Sequence, residues 1–192
     1  MNHPDQRANT AQLSVPVDQL DHVLGPTHGQ PVVLEYGDFE CPSCAQAFPA
    51  IKILAARFDN RFRFVFRHFP IAEVHPNALL AAQAAEAAGA QGRFWEMHDL
   101  LFTHPHHLKD ADLHGHARTL GLDLPRFIAE LDDQVYLQRV QEHIASGRSS
   151  GVRSTPCFFV DSMLVDASFG VDHLASVIAS RTISHPNPRP AS

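Results

Sequence analysis

Val32-Val33-Leu34-Glu35-Tyr36-Gly37-Asp38-Phe39-Glu40-Cys41-Pro42-Ser43-Cys44 decides how the rest of the chain is read. Val32 to Tyr36 is apolar apart from the single acid Glu35, the pattern of a buried strand. Gly37 and Asp38 end it. Cys41 then stands at a helix N-cap position with Pro42 at the first helical position. Ala45, Phe48, Ile51, Lys52 (by its stem), Ala55 and Phe58 follow at helical spacing. A thiol at a helix N-terminus faces unpaired N–H groups and the positive end of the helix dipole, which favours the thiolate. The stretch therefore points to a reactive dithiol. The alternative is half of a zinc site, which requires two further ligands at metal spacing.

The chain has 192 residues, enough for one enlarged domain or one domain with an insertion. An apolar fraction of 44% against 19% charged residues permits a packed core. The net charge is −6, with no clustered Lys or Arg of the kind a nucleic-acid partner requires. Met1 to Val17 lacks a cationic start followed by an apolar run, so the expected location is the cytoplasm. A chain already relieved of its leader would read the same way and would be periplasmic. No run reaches the length of a membrane-spanning helix. Three cysteines are too few, and odd in number, for a disulfide-stapled scaffold. In such a chain Cys-x-x-Cys is catalytic or metal-binding rather than structural.

Residues 1–12 are polar and expected to be loose. Leu13 to Val17, interrupted by Pro16, is at best an edge strand, and Asp18 to Gly25 reads as a helical turn. Gly25 to Pro31 is a loop. After the dithiol helix, Arg61-Phe62-Arg63-Phe64-Val65-Phe66-Arg67-His68-Phe69 alternates with period two. It reads as a strand near a sheet edge, where the arginines reach water. Strand, helix, strand demands a parallel pair with a right-handed crossover.

A helical block follows, from about residue 76 to 147, with no strand signal. Its helices are expected over Pro76–Ala88 (capped by Gly89), Phe94–Phe102, Asp110–Leu120, Pro125–Leu131 and Gln134–Ser146. Val135, Leu137, Val140 and Ile144 fall on one side of the last. Cys157–Val160 and Met163–Val165, joined by Asp161-Ser162, form a β-hairpin. Val171–Arg181 is a final helix. The expected domain spans 13–181, and the Pro-rich segment 182–192 is a disordered tail.

With this layout, that of the thioredoxin fold with a helical insertion, the sequence resembles the DsbA-like thiol–disulfide oxidoreductases, and among them the bacterial branch whose members often lack a leader. The resemblance covers roughly residues 21 to 180. It rests on Glu35 to Cys44, on Phe66-Arg67-His68-Phe69-Pro70 with His75-Pro76, on Phe94 to Phe102, and on Ser149 to Val160 with its Thr155-Pro156. It implies an α/β fold: a mixed central sheet flanked by helices, with an all-helical insertion between a βαβ and a ββα unit. It implies Cys41 as the exposed nucleophile and Cys44 as the buried resolving thiol. Glu35 matches a buried acid near the second thiol, and Thr155-Pro156 matches a cis-proline loop lying against the dithiol. Pro42, Ser43, Thr155 and Pro156 would then meet substrate. The implied partners are protein or low-molecular-weight thiols and disulfides and a redox partner, with no nucleic acid, membrane, metal or cofactor beyond the Cys41–Cys44 disulfide.

Elementary chemistry adds to this. Burial raises the pKa of an acid such as Glu35, making it a proton carrier for Cys44. The strand-end alternative leaves its carboxylate in water. Ser43 gives Cys41 no cationic help, so the couple is expected to be less oxidising than in relatives with His there; a value near that of DsbA, roughly −120 mV, would contradict this. A cis proline would leave the Thr155 backbone free to pair with a substrate strand. Cys157 stands where relatives commonly carry Thr. It is either a small buried residue or a third redox thiol. His104, His106, His107, His114 and His116 match no ligand spacing and read as solvated surface, with adventitious metal binding as the alternative. His98 lies within the motif at 94–102 and is expected to pack or cap, and the Phe/Trp/Met stripe of that motif reads as core. The competing function is a metal-binding or chaperone-like module without redox turnover. A glutathione-dependent transferase of the same fold is disfavoured because such relatives generally lack the second cysteine.

Overall fold

The computed structural model describes residues 11–26, 31–58, 61–166 and 171–184. The elements are β1 (His22–Leu24), β2 (Val32–Gly37), α1 (Pro42–Arg57), β3 (Arg63–His68), α2 (Ala78–Gly89), α3 (Phe94–Thr103), α4 (Asp110–Thr119), α5 (Leu124–Asp132), α6 (Leu137–Ser149), β4 (Cys157–Val160), β5 (Met163–Val165) and α7 (Val171–Ser184). The sheet runs β1-β3-β2-β4-β5, and only β2–β3 is parallel. The α/β class, the mixed sheet and the helical insertion are as the sequence reading has them.

The strand pleat sorts side chains onto two faces. Val33, Phe64, Phe66, Phe158 and Val160 join Cys44, Ile51 and Leu54 of α1 and the insertion in one apolar cluster. Leu34, Tyr36, Val65, Phe69 and Phe159 form the second cluster with Leu13 and Val152. Glu35 alternates with Leu34 and Tyr36, so it lies on the α1 face, beneath the dithiol helix.

Several local expectations give way to tertiary pairing. Asp18–Gly25 is no helical turn: His22, Val23 and Leu24 pair antiparallel with Phe66, Val65 and Phe64 as β1. That strand covers the edge of β3, so β3 is internal and Arg67 does not reach water. Arg67 is 3% exposed. Its guanidinium is held in a fork by both carboxylate oxygens of Asp21 at 2.8 Å and by the carbonyls of Val15 and Pro16. Five fixed donors matched to a carboxylate and carbonyls are how a buried arginine is satisfied. Leu13–Val17 is therefore not an edge strand but a strap. Its carbonyls serve Arg67, and the Leu13 N–H donates to the Ser162 carbonyl at 2.9 Å.

Smaller corrections concern ends. Ala11 and Gln12 run beside β5, so the loose start does not reach residue 12; residues 1–10 lie outside the described residues. Gly89 is the last residue of α2, and Ala90 caps it. Val135 precedes α6 and is exposed. The final helix passes Arg181 to Ser184, and the expected tail from 185 onward lies outside the described residues. Asp161 and Ser162 make the β4–β5 turn with φ of 47° and 69°, the primed geometry that suits a two-residue hairpin. Asp161 also accepts the Val32 N–H at 2.9 Å.

Gly147 shows how α6 sits on the sheet. A Cβ there would lie 2.7 Å from Phe69 and 3.1 Å from Tyr36, two rings with no room to swing. Gly147→Ala gains about 1 kcal/mol of helix propensity against roughly 1–3 kcal/mol of overpacking. The expected result is a net loss of about 1 kcal/mol in denaturant unfolding. A stabilised variant would show that α6 packs more loosely than described.

Candidate active site

The β2–α1 turn is built by Asp38, which is 1% exposed. Its Oδ1 accepts the Glu40 N–H at 2.8 Å, an Asx turn. Its Oδ2 accepts the Ile71 N–H at 2.8 Å and meets His75 Nδ1 at 2.7 Å. Glu40 in turn takes the backbone and side-chain N–H of Asn77. These bonds tie the loop that presents Cys41 to the entrance of the insertion. The sequence marks Asp38 only as a strand end and Glu40 and His75 only as parts of motifs, and it gives no sign that Asp38, Glu40, His75 and Asn77 meet. Asp38-Phe39-Glu40 carries the local signal of an Asx turn; the partners at 71–77 carry none.

Cys41 is the N-cap of α1, with φ −75° and ψ 121°. Pro42 has no N–H to offer. Ser43 and Cys44, at the second and third helical positions, supply the two backbone donors that a capping group accepts. Cys41 and Cys44 are free thiols and both are buried; Cys41, at 7% exposure, is not the exposed nucleophile that the resemblance implies, because the Thr155-Pro156 loop lies against it. The Cys41 thiol lies 3.4 Å from the Thr155 carbonyl. Its pKa is lowered to about 5 by the Cys44 thiol, against a burial effect that raises it, and further by Thr155 and the N–H groups of Cys44 and Ser43. Cys44 is fully buried, and burial first, then Cys41 and Glu35, drive its pKa far up. One thiol is thus set to ionise and its neighbour to stay protonated.

Glu35 is 3% exposed, and burial, aided by the Cys41 charge, raises its pKa to about 8. Thr155 and Pro156 face the dithiol across a cis peptide bond. Ser43, Thr155 and Pro156 line a groove of about 760 Å³ that also meets Gln46 and Arg153. Pro42 lines a second groove of about 360 Å³ on the other side, with Asn77, His106 and Lys109.

Cys157 pairs with Tyr36 in the sheet and packs with the second cluster, on the face away from Cys44 and Glu35, while also lining the groove that Ser43, Thr155 and Pro156 line. Burial raises its pKa to about 11. A pH series of iodoacetamide labelling should therefore separate the thiols. Cys41 is expected to label with a midpoint near pH 5, while Cys157 stays unlabelled until the pH approaches its own pKa of about 11. Equal labelling of both at neutral pH would contradict this electrostatic picture.

Among the described residues, one cluster brings metal-type ligands together: His68, Glu86 and His143, all buried. Glu86 already meets His68 Nε2 at 2.9 Å and His22 Nε2 at 3.0 Å, and the His68 N–H donates to His143 Nδ1. The network joins β1, β3, α2 and α6. The histidines at 104–116 do not enter it.

This fold, with a dithiol at the N-terminus of α1 and a helical insertion over the sheet, is the DsbA-like form of the thioredoxin fold, the form found in thiol–disulfide oxidoreductases. The chain belongs to the thioredoxin family, whose model, described as "Thioredoxin", matches residues 18–180. BdbD from Bacillus subtilis, in its oxidised form, superposes with a TM-score of 0.75 at 20% identity, over 89% of this chain and 96% of that one. A thioredoxin-like oxidoreductase from Silicibacter pomeroyi gives 0.68 at 28% identity, over 83% and 93%. The thiol-disulfide exchange protein alpha-DsbA2 from Wolbachia pipientis gives 0.71 at 21%, over 85% and 88%. Among curated proteins, a Na(+)/H(+) antiporter NhaA 1 from Salinispora arenicola is 48% identical over 169 residues, 88% of this chain. The NhaA of Herminiimonas arsenicoxydans is 42% identical over 171 residues. The chain spans about a quarter of the length of these curated relatives. Among the described residues, no helix is long and apolar enough to cross a membrane.

Proposed function

We propose that the chain exchanges disulfides with protein or low-molecular-weight thiols, with Cys41 as nucleophile and Cys44 as resolving thiol. The observation that carries this is the opposite setting of two neighbouring thiols: Cys41 lowered to about 5 on the α1 N–H groups, Cys44 buried and protonated. The Cys41 thiolate attacks one sulfur of a substrate disulfide and expels the other as a thiolate. Cys44 then gives its proton to Glu35 in its carboxylate form and attacks the Cys41 sulfur, releasing the second substrate thiol. That carboxylate is the minor form at neutral pH for a group with a pKa of about 8, and it grows as pH rises. The substrate is reduced by two electrons and the protein holds a Cys41–Cys44 disulfide. The reverse sequence oxidises a dithiol substrate, and a redox partner resets the pair. The electrons stay on sulfur throughout, so the reading calls for no resident cofactor. The longer relatives are named for cation–proton exchange by whole proteins; sulfur exchange is the chemistry these residues support.

The lowered Cys41 pKa acts on the leaving group more than on attack. At pH 7 a fall from 9.0 to about 5 raises the thiolate fraction roughly 100-fold, and the accompanying loss of nucleophilicity takes back most of it. What is left is a stabilised reduced form. Cys41 falls between the values of thioredoxin, about 7, and DsbA, about 3.5. The couple is therefore expected between roughly −270 and −120 mV. Equilibration with glutathione buffers measures it; a value at or above that of DsbA would contradict the reading of Ser43. Metal content after purification separates this function from a metal-holding module, which would draw on His68, Glu86 and His143.

A further inference from the structure

Glu35 lines a narrow cavity of about 20 Å³, room for one water molecule. The other walls are apolar, with Leu24, Phe48, Phe64 and Trp95 among them, apart from His98, Asp99 and Lys52. Those three form a chain to the surface. Lys52 Nζ donates to Asp99 Oδ2 at 2.5 Å, and His98 Nδ1 lies 3.1 Å from Asp99 Oδ1. Burial pushes the Asp99 carboxyl up, but the bonds from His98 and Lys52 outweigh it and hold the pKa below the ordinary range. An ionised carboxylate only accepts, so Nδ1 carries the His98 proton and Nε2 is a bare lone pair. The ring is 3% exposed, clasped by Phe39, Phe66, Trp95 and Phe102, and Nε2 has no hydrogen-bond partner. Buried polar atoms are rarely left so.

We propose that His98, oriented by Asp99, is the group through which Glu35 exchanges its proton with solvent. This deepens the oxidoreductase reading and rests on it. When Cys44 attacks the mixed disulfide, its proton goes to the Glu35 carboxylate. The Glu35 carboxyl then passes that proton, through one water in the cavity, to His98 Nε2. The imidazolium is held by Asp99 and returns a proton to solvent at the Lys52–Asp99 mouth, where the two side chains are 46% and 37% exposed. No electrons move in this limb, and oxidation of a substrate runs it backwards. The groups acting on His98 are Asp99 on its own helix, Lys52 on α1, His68 on β3 and Glu35 on β2 across the cavity. Burial, Lys52 and His68 oppose the imidazolium and Asp99 supports it, so the charged ring is a transient.

The test is single-turnover resolution of the Cys41–glutathione mixed disulfide from mildly acidic to mildly alkaline pH, in water and in deuterium oxide. His98→Phe keeps the packing and removes the relay. It is expected to slow resolution roughly 10-fold, alter the pH profile and change the solvent isotope effect. Cys41 labelling by iodoacetamide should stay as in the parent. Asp99→Asn, at the surface, is expected to give a smaller loss in the same step, and it decides the matter should His98→Phe fail to fold. The proposal is overturned if these variants resolve at the parent rate and pH profile while Glu35→Gln is slowed. A parent protein that forms no mixed disulfide would overturn the exchange reading itself, and the relay with it.

Discussion

Cys41→Ser is expected to abolish disulfide exchange, and Cys44→Ser to stop it half way. Without Cys41 no thiolate stands at the helix N-terminus. Cys44 cannot replace it, because burial keeps it protonated through the physiological range. Cys157 cannot either, with its pKa near 11 and its side chain on the opposite sheet face. The loss in insulin or glutathione-disulfide reduction should exceed roughly 10³-fold, as for removal of other covalent nucleophiles. Cys44→Ser keeps the attack and loses the resolution, so it should accumulate a one-to-one mixed disulfide at Cys41. Turnover by Cys41→Ser within about ten-fold of the parent would remove the assignment of the nucleophile.

Glu35→Gln should move rate and stability in opposite directions. The new amide cannot take the Cys44 proton, so resolution should slow by roughly 10²-fold, with the first, Cys41-dependent step unchanged. The effect on stability follows from the pKa, raised from 4.5 to about 8 by burial. A carboxyl raised on folding contributes its full relative stability below its unfolded pKa and loses it as pH climbs through the folded one. The parent should therefore weaken between pH 4.5 and about 8, by an amount whose ceiling is about 5 kcal/mol. The Glu35→Gln variant, with no carboxyl to ionise there, should not. Denaturant midpoints below and above that window read this out. A variant no more stable than the parent on the alkaline side would show that Glu35 is ionised without penalty, reaching water as a strand-end acid would.

The parts of this structure that were legible in the sequence are those whose signals are local. Val32 to Tyr36, the Pro42 N1 position and the helical spacing from Ala45 onward fix strand, turn and dithiol helix within a short stretch of one another. The pleat separates Glu35 from Leu34 and Tyr36, and that its side is the Cys44 side is what the family resemblance implies and the two apolar clusters bear out. What could not be read is what depends on distant partners. The short segment His22–Leu24 carries too little periodicity to announce β1, and it exists because Phe64 to Phe66 are there to pair with it. Arg67 looked like an exposed edge residue because its acid, Asp21, lies 46 positions earlier. Asp38 binds His75 across 37 positions, and nothing in either segment names the other. Of the two expectations for His98, packing and capping, the structure shows packing. That one of its nitrogens is empty, and that it shares a cavity with Glu35, appears only in three dimensions.

The central claim is that Cys41 and Cys44 form the exchanging pair. Its most direct test is equilibration of the protein with a reduced and oxidised glutathione series, quenched in acid and mapped by mass spectrometry. The account predicts a single two-electron transition, one Cys41–Cys44 disulfide in the oxidised form, and a free Cys157 at every ratio. A protein that forms no intramolecular disulfide, or forms one through Cys157, would contradict it.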